Sequence, residues 1–190
     1  SVDERFVPLA MDKDYDVIFV GRLAKVKHVE TIIRATSIVK NAYPSVRVAI
    51  VGDGSERENL EAMAHELDLD GNVDFVGFQE NTWEWYNRAK MSILASEREG
   101  FPYAVVESLK CGVPVIVSNC GDVTDFVKDS INGKAVSFHD DYEKFARIII
   151  ELLTQSHLLN EITSRCIPSV EKNSCTSVES VWNEYLIKYI

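Results

Sequence analysis

The sequence is short of the residues that hold a metal centre or a disulfide framework. Its four cysteines stand at 111, 120, 166 and 175, with no Cys-x-x-Cys pair. Its four histidines supply no metal-ligand spacing beside them, so neither a metal nor a bound cofactor is expected. Unpaired thiols fit a reducing compartment, and a cytoplasmic location follows as the expectation. No apolar run approaches the ~20 residues of a membrane-spanning helix, and the opening residues carry no signal-peptide pattern. Positive charge is also scarce: 20 Lys and Arg stand against 30 Asp and Glu, a net charge of −10. That balance argues against nucleic acid, and against an anionic membrane held by charge alone. It also makes clustered cations informative, because an anionic ligand must be held locally against the overall field. Internal repeats and low-complexity segments are absent.

What is present is a core-forming chain, 46% apolar over 190 residues, which is the size of one domain. Short apolar runs alternate with amphipathic stretches. Strands are read at 16–21, 46–51, 72–77, 91–95, 113–117 and 134–138. Val29, Ile32, Ile33, Thr36 and Val39 recur at helical spacing, with Glu30 and Arg34 placed to pair on the outer face. Further helices are read at 56–67 with Ser55 as cap, at 83–90 with Asn81 or Thr82 as cap, at 103–110 and around Phe145 to Leu152. A last helix is read at 178–189, inside a terminal segment 175–190, and residues 1–14 read as a connector. The expected fold class is α/β, a Rossmann-like parallel sheet of about six strands with helices on both faces.

Open parallel sheets bind ligands at the carboxyl ends of their strands, and the informative residues gather there. Gly21 allows a tight turn after the first strand. Arg22 and Lys27 follow it, a planar fork and a point charge that both suit phosphate oxygens. As isolated surface cations they would be solvated. Gly52, Gly54 and Arg57 resemble a dinucleotide fingerprint but lack its third glycine and follow the wrong strand. A tight turn lining a nucleotide pocket remains. Glu99, Gly100, Phe101 and Pro102 form a turn that opens a helix, with Pro102 read as its first residue and Glu107 eight positions beyond Glu99. Free N–H groups at such a helix start suit an anion. The two acids could grip hydroxyls on either side of it, as a sugar–diphosphate–ribose ligand requires. Glu107 facing solvent is the plainer alternative, and a glycoside hydrolase pair is a further one, seldom hosted on this architecture. His28 and His65 read as surface residues. Trp83, Trp85 and Tyr86 read as core or rim, and Asp122 and Asp125 as caps of a short helix after Gly121.

In series, these motifs resemble the retaining GT-B glycosyltransferases with a Glu-x7-Glu signature, family 4 (group 1). Residues 2–8 resemble that family's interdomain connector, and Gly21, Arg22, Leu23 and Lys27 its diphosphate loop. Gly52 to Gly54, the 73–77 strand and the 112–117 segment match in order and spacing. Glu99 to Pro102 with Glu107 is the most specific match. Three positions depart from the family pattern: His28 where Gly or Asn is usual, Ala95 where Pro is common, and Asp122 where a second Gly is common.

The resemblance implies a single donor-binding domain, 1–190, whose acceptor domain lies outside this sequence in the same or a partner chain. It implies metal-independent hexosyl transfer from a UDP- or GDP-type sugar donor. Arg22 and Lys27 would contact the diphosphate, as catalytic as well as binding groups, and Glu99 the transferred sugar. Backbone N–H groups near Gly100 and Phe101 would approach the sugar and phosphate, with Gly21, Gly52 and Pro102 shaping the loops. Glu107 would take the ribose diol, and the loop near Phe78 would lie beside the base. Any membrane contact would belong to the acceptor domain. Another GT-B enzyme, such as a nucleotide-sugar epimerase, and a non-catalytic nucleotide-sugar-binding scaffold are the competing readings.

Overall fold

A computed structural model describes residues 2–121 and 123–171. Six strands form one sheet: β1 Tyr15–Val20, β2 Val48–Val51, β3 Val73–Gly77, β4 Ala89–Leu94, β5 Val115–Ser118 and β6 Gly133–Val136. Their order is β3-β2-β1-β4-β5-β6, and every pairing is parallel. The helices between them are α1 Val29–Ala42, α2 Arg57–Glu66, α3 Thr82–Asn87, α4 Tyr103–Lys110, α5 Val123–Phe126, α6 Tyr142–Thr154 and α7 Ser156–Glu171.

Strand periodicity splits the core into two layers. Val17 and Phe19 of β1 pack with Ile32 and Ile33 of α1 and Phe145 of α6. Ile18, between them, packs with Phe6, Ala49 and Tyr86 on the opposite face. Burying both faces explains why the strands read as continuous apolar runs rather than alternating ones. The fold class is as the sequence indicates, a parallel sheet with helices on both sides.

Several boundaries differ from the sequence reading. Val46 lies outside β2, its N–H donating to Tyr43 O at 3.0 Å. Ala89 and Lys90 belong to β4, not to α3, because Ala89 pairs with Tyr15. Val113 and Pro114 precede β5, with Pro114 O accepting from Ser92 N at 2.9 Å. Ser55 does not cap α2; Glu56 holds the cap position and makes no side-chain cap bond. Asn81 holds the cap position of α3, but its amide donates to Glu84 Oε2 instead. Asp125 lies inside α5 and so does not cap it. Glu30 does not pair with Arg34; it accepts from His28 Nδ1 at 2.9 Å. The α7 helix has no counterpart in the sequence reading. Asp122 and the helix read at 178–189 lie outside the described residues.

Residues 2–14 of the connector have no regular secondary structure, yet they are anchored. Phe6 is buried and meets Trp83 edge-on at 6.2 Å. Asn87 clamps the next turn, accepting from Leu9 N and donating to Val7 O. Among the described residues no helix is long and apolar enough to cross a membrane, and no group of three or more metal-ligating side chains gathers.

Candidate functional site at the carboxyl edge of the sheet

The strand order reverses between β1 and β4, which makes their carboxyl ends the switch point of the sheet. The loops leaving β1, β2, β3 and β4 are tied to one another there. Leu23 N donates to Asp53 O and Glu56 N donates to Leu23 O, joining the first loop to the second. Gly52 N donates to Gly77 O, joining the second to the third strand's end, and Glu97 N donates to Val26 O, joining the first loop to the fourth. The glycines permit this lacing. A Cβ at Gly52 would stand 1.9 Å from Gly21 O, and one at Gly54 would stand 2.2 Å from Leu23 O. Gly121 plays the same part beneath Glu99: its φ is +53°, and a Cβ there would lie 2.6 Å from Glu99 O.

Within this frame Lys27 and Glu99 meet. Lys27 ends a single 3-10 turn after β1, and its ammonium bonds Glu99 Oε1 at 2.6 Å. Both side chains are largely sheltered, 21% and 10% exposed. Arg22 is exposed, and its guanidinium has no ion-pair partner among the described residues. Gly100 N and Phe101 N likewise make no backbone hydrogen bond there. Pro102 is not the first residue of α4 but stands just before it, with φ −82° and ψ 68°. Its carbonyl accepts from Val105 N and Val106 N.

Glu107, one turn into α4, is half-buried beside Tyr86. Burial pushes its carboxyl above the usual value, and the Tyr86 hydroxyl partly opposes that. Tyr86 itself is buried and donates to Ala104 O at 3.1 Å. Glu107 therefore turns inward, not to open solvent. Phe78 is 73% exposed at the carboxyl end of β3. Phe101 is exposed beside Tyr103 and Phe126, ring centroids 4.6 Å and 5.3 Å away. The structure thus brings Gly52 against Gly21 and Lys27 against Glu99 across neighbouring loops, with Gly100 and Phe101 next in the Glu99 loop, Glu107 one helical turn deeper and Phe78 at the end of β3.

His28 is not the surface residue the sequence suggested. It adopts φ 46°, a left-handed conformation that favours Gly or Asn, which accounts for those residues being usual there in the family it resembles. Its ring stacks on His139 from the loop before α6, centroids 4.0 Å apart, and its Nε2 lies 3.6 Å from Glu97 Oε2. His65, by contrast, is exposed as expected and paired with Asp70. His28 Nε2 and Ser96 Oγ are the two buried side-chain polar atoms without a hydrogen bond among the described residues, and both flank this edge. The His139 contact and the Gly121 approach escaped sequence reasoning. Neither leaves a local pattern, because each joins segments far apart in the chain.

The fold and its strand order define a doubly wound α/β domain. The family model for glycosyl transferases group 1 matches residues 2–167. The chain belongs to that family. It is 30% identical to the lipopolysaccharide core biosynthesis glycosyltransferase LpsE of Rhizobium meliloti, over 78% of this chain and 42% of that protein. It is also 30% identical to an N-acetyl-D-galactosaminyltransferase of Campylobacter jejuni, over 86% of this chain and 46% of the relative. The chain spans less than half the length of these curated relatives. Two solved structures share its fold. The C-terminal domain of a group 1 family protein, LpcC of Francisella tularensis, aligns with a TM-score of 0.83 at 22% identity, covering 90% of this chain and 97% of that one. HepE of Anabaena, in complex with UDP and glucose, aligns with a TM-score of 0.81 at 22% identity, covering 92% and 48%.

Proposed function

We propose that this chain is the donor-binding domain of a retaining glycosyltransferase that moves a hexose from a UDP- or GDP-type sugar to an acceptor. The observation that carries this reading is the meeting of Lys27 with Glu99 at the switch point, a cation and an acid from separate loops in one sheltered place. Arg22 and Lys27 hold the diphosphate. Glu99 accepts from the sugar's hydroxyls, and the Gly100 and Phe101 N–H groups point to the sugar and phosphate. Glu107 accepts from the ribose diol, whose two donors offset the burial of its carboxylate. Phe78 lies beside the base.

The chemistry follows from charge. Cleaving the bond between the anomeric carbon and the diphosphate oxygen leaves negative charge on the departing diphosphate. Fixed cations and N–H groups stabilise that charge without a metal. The leaving phosphate in turn offsets positive charge developing on the sugar ring, on the face where the acceptor arrives. The acceptor is bound by an amino-terminal domain in the same or a partner chain, so residues 1–190 by themselves bind donor and transfer nothing. The expected location is cytoplasmic.

Calorimetry of Ala variants separates the two acids. Glu107→Ala weakens UDP and UDP-sugar binding alike, whereas Glu99→Ala weakens the sugar form selectively. Equal losses for both ligands in the Glu99 variant would contradict its role. A non-catalytic nucleotide-sugar-binding module is the second reading. It is favoured by His28, whose imidazole brings Glu30 and Glu97 beside the diphosphate loop. Robust donor binding with no transfer by the complete two-domain protein would decide for it.

A further inference from the structure

Resting on that donor-site reading, we propose that the Lys27–Glu99 pair makes the site favour a sugar-bearing nucleotide over the bare nucleoside diphosphate. Glu99 competes with the diphosphate for Lys27, and only the sugar supplies donors that satisfy the carboxylate in exchange.

Three observations support this. The pair joins residues 72 positions apart, from the β1 and β4 loops, so it is a tertiary contact set by the laced edge and not a helical neighbour pair. Each group is the other's only side-chain partner among the described residues, and Glu99 is just 10% exposed. Drawing Lys27 away would leave a sheltered carboxylate uncompensated, which is unfavourable in a poorly solvated place. Arg22, in contrast, is exposed and has no ion-pair partner among the described residues. A diphosphate engages Arg22 without competition but must take Lys27 from Glu99.

The consequence differs for donor and product. With a sugar in place, its hydroxyls donate to Glu99 while Lys27 turns to the phosphates, and every charged group keeps a partner. After transfer the sugar has left. The nucleoside diphosphate then holds Lys27 only at the expense of Glu99, and the pair re-forms as it leaves. The same contact that discriminates between ligands therefore assists product release, a step that limits many enzymes.

A double-mutant cycle tests the competition. The probes are UDP, GDP and inorganic pyrophosphate, titrated calorimetrically into the full chain and into Glu99→Gln, Lys27→Met and the double variant. Near-isosteric replacements limit damage to the loop, and thermal midpoints report whether each variant folds. Removing the competing charge is expected to tighten nucleoside diphosphate binding by about three- to tenfold in Glu99→Gln, the scale of a partly sheltered pair. In the Lys27→Met background the same change should give less than half that gain. An unchanged or weaker affinity in Glu99→Gln overturns the proposal. So does a gain that is equal or larger without Lys27, since plain repulsion between Glu99 and the diphosphate would then explain it. The donor-site reading fails separately: a wild-type chain that binds none of the three probes at millimolar concentration overturns that reading and the competition with it.

Discussion

At the scale of the residue, Glu107 shows what burial does to a candidate site acid. Burial pushes its carboxyl above the usual glutamate value because the folded chain takes it partly out of water, with Tyr86 opposing. Below the unfolded value the group is neutral in both states and contributes nothing to pH dependence. Above the raised folded value it ionises less readily in the folded chain than in the unfolded one, so it subtracts stability at neutral pH. Stability is recovered as pH falls through that window. Glu107→Gln should therefore stabilise the chain more at pH 7 than at pH 4, read from unfolding midpoints, while weakening nucleotide binding. An equal change at both pH values would show that Glu107 is as well solvated as an ordinary surface acid. Cys111 is displaced by the same desolvation, its thiol pushed up to about 12, which leaves it an inert core group.

At the scale of the element, the site is made by how closely the loops approach. Gly54→Ala sets a methyl group 2.2 Å from Leu23 O, and backbone cannot give way there as a side-chain tip can. The expected loss is about 1–3 kcal/mol of stability, with weakened diphosphate binding because the loop carrying Arg22 must shift. Denaturant unfolding and UDP titration read the two effects together. A variant as stable as wild type would mean that the lacing between the first and second loops is dispensable. These elements were largely legible in advance. The apolar runs of β1 and β4 and the 3.6-residue spacing in α1 carry their own signal, and so do the glycines after β1 and β2. What stayed hidden is tertiary. Ala89 and Lys90 look helical by neighbourhood and are strand by their pairing with β1. Helix α7 carries Pro168 in its interior and exposes much of its length, which blurs its periodicity. The Lys27–Glu99 bond, the His28–His139 stack and the inward turn of Glu107 each depend on packing between distant segments, which local spacing does not encode.

At the scale of the whole molecule, a net charge of −10 surrounds the edge proposed to seat a diphosphate. Two cations, Arg22 and Lys27, stand against that field, and at low salt the local attraction must exceed the long-range repulsion for a diphosphate to bind. The sheet provides the rigidity, since both loops spring from its central strands and are fixed to their neighbours by backbone hydrogen bonds. The measurement that tests this most directly is a calorimetric titration of UDP and GDP, at low salt in EDTA, into the wild-type chain, Arg22→Ala and Lys27→Ala. The expected result is metal-independent binding of one nucleotide, with a loss of about 1.5–3 kcal/mol in each variant, the range for a hydrogen bond to a charged group. Binding of neither nucleotide at millimolar concentration, or wild-type affinity in both variants, would contradict the seating of a diphosphate between these two cations.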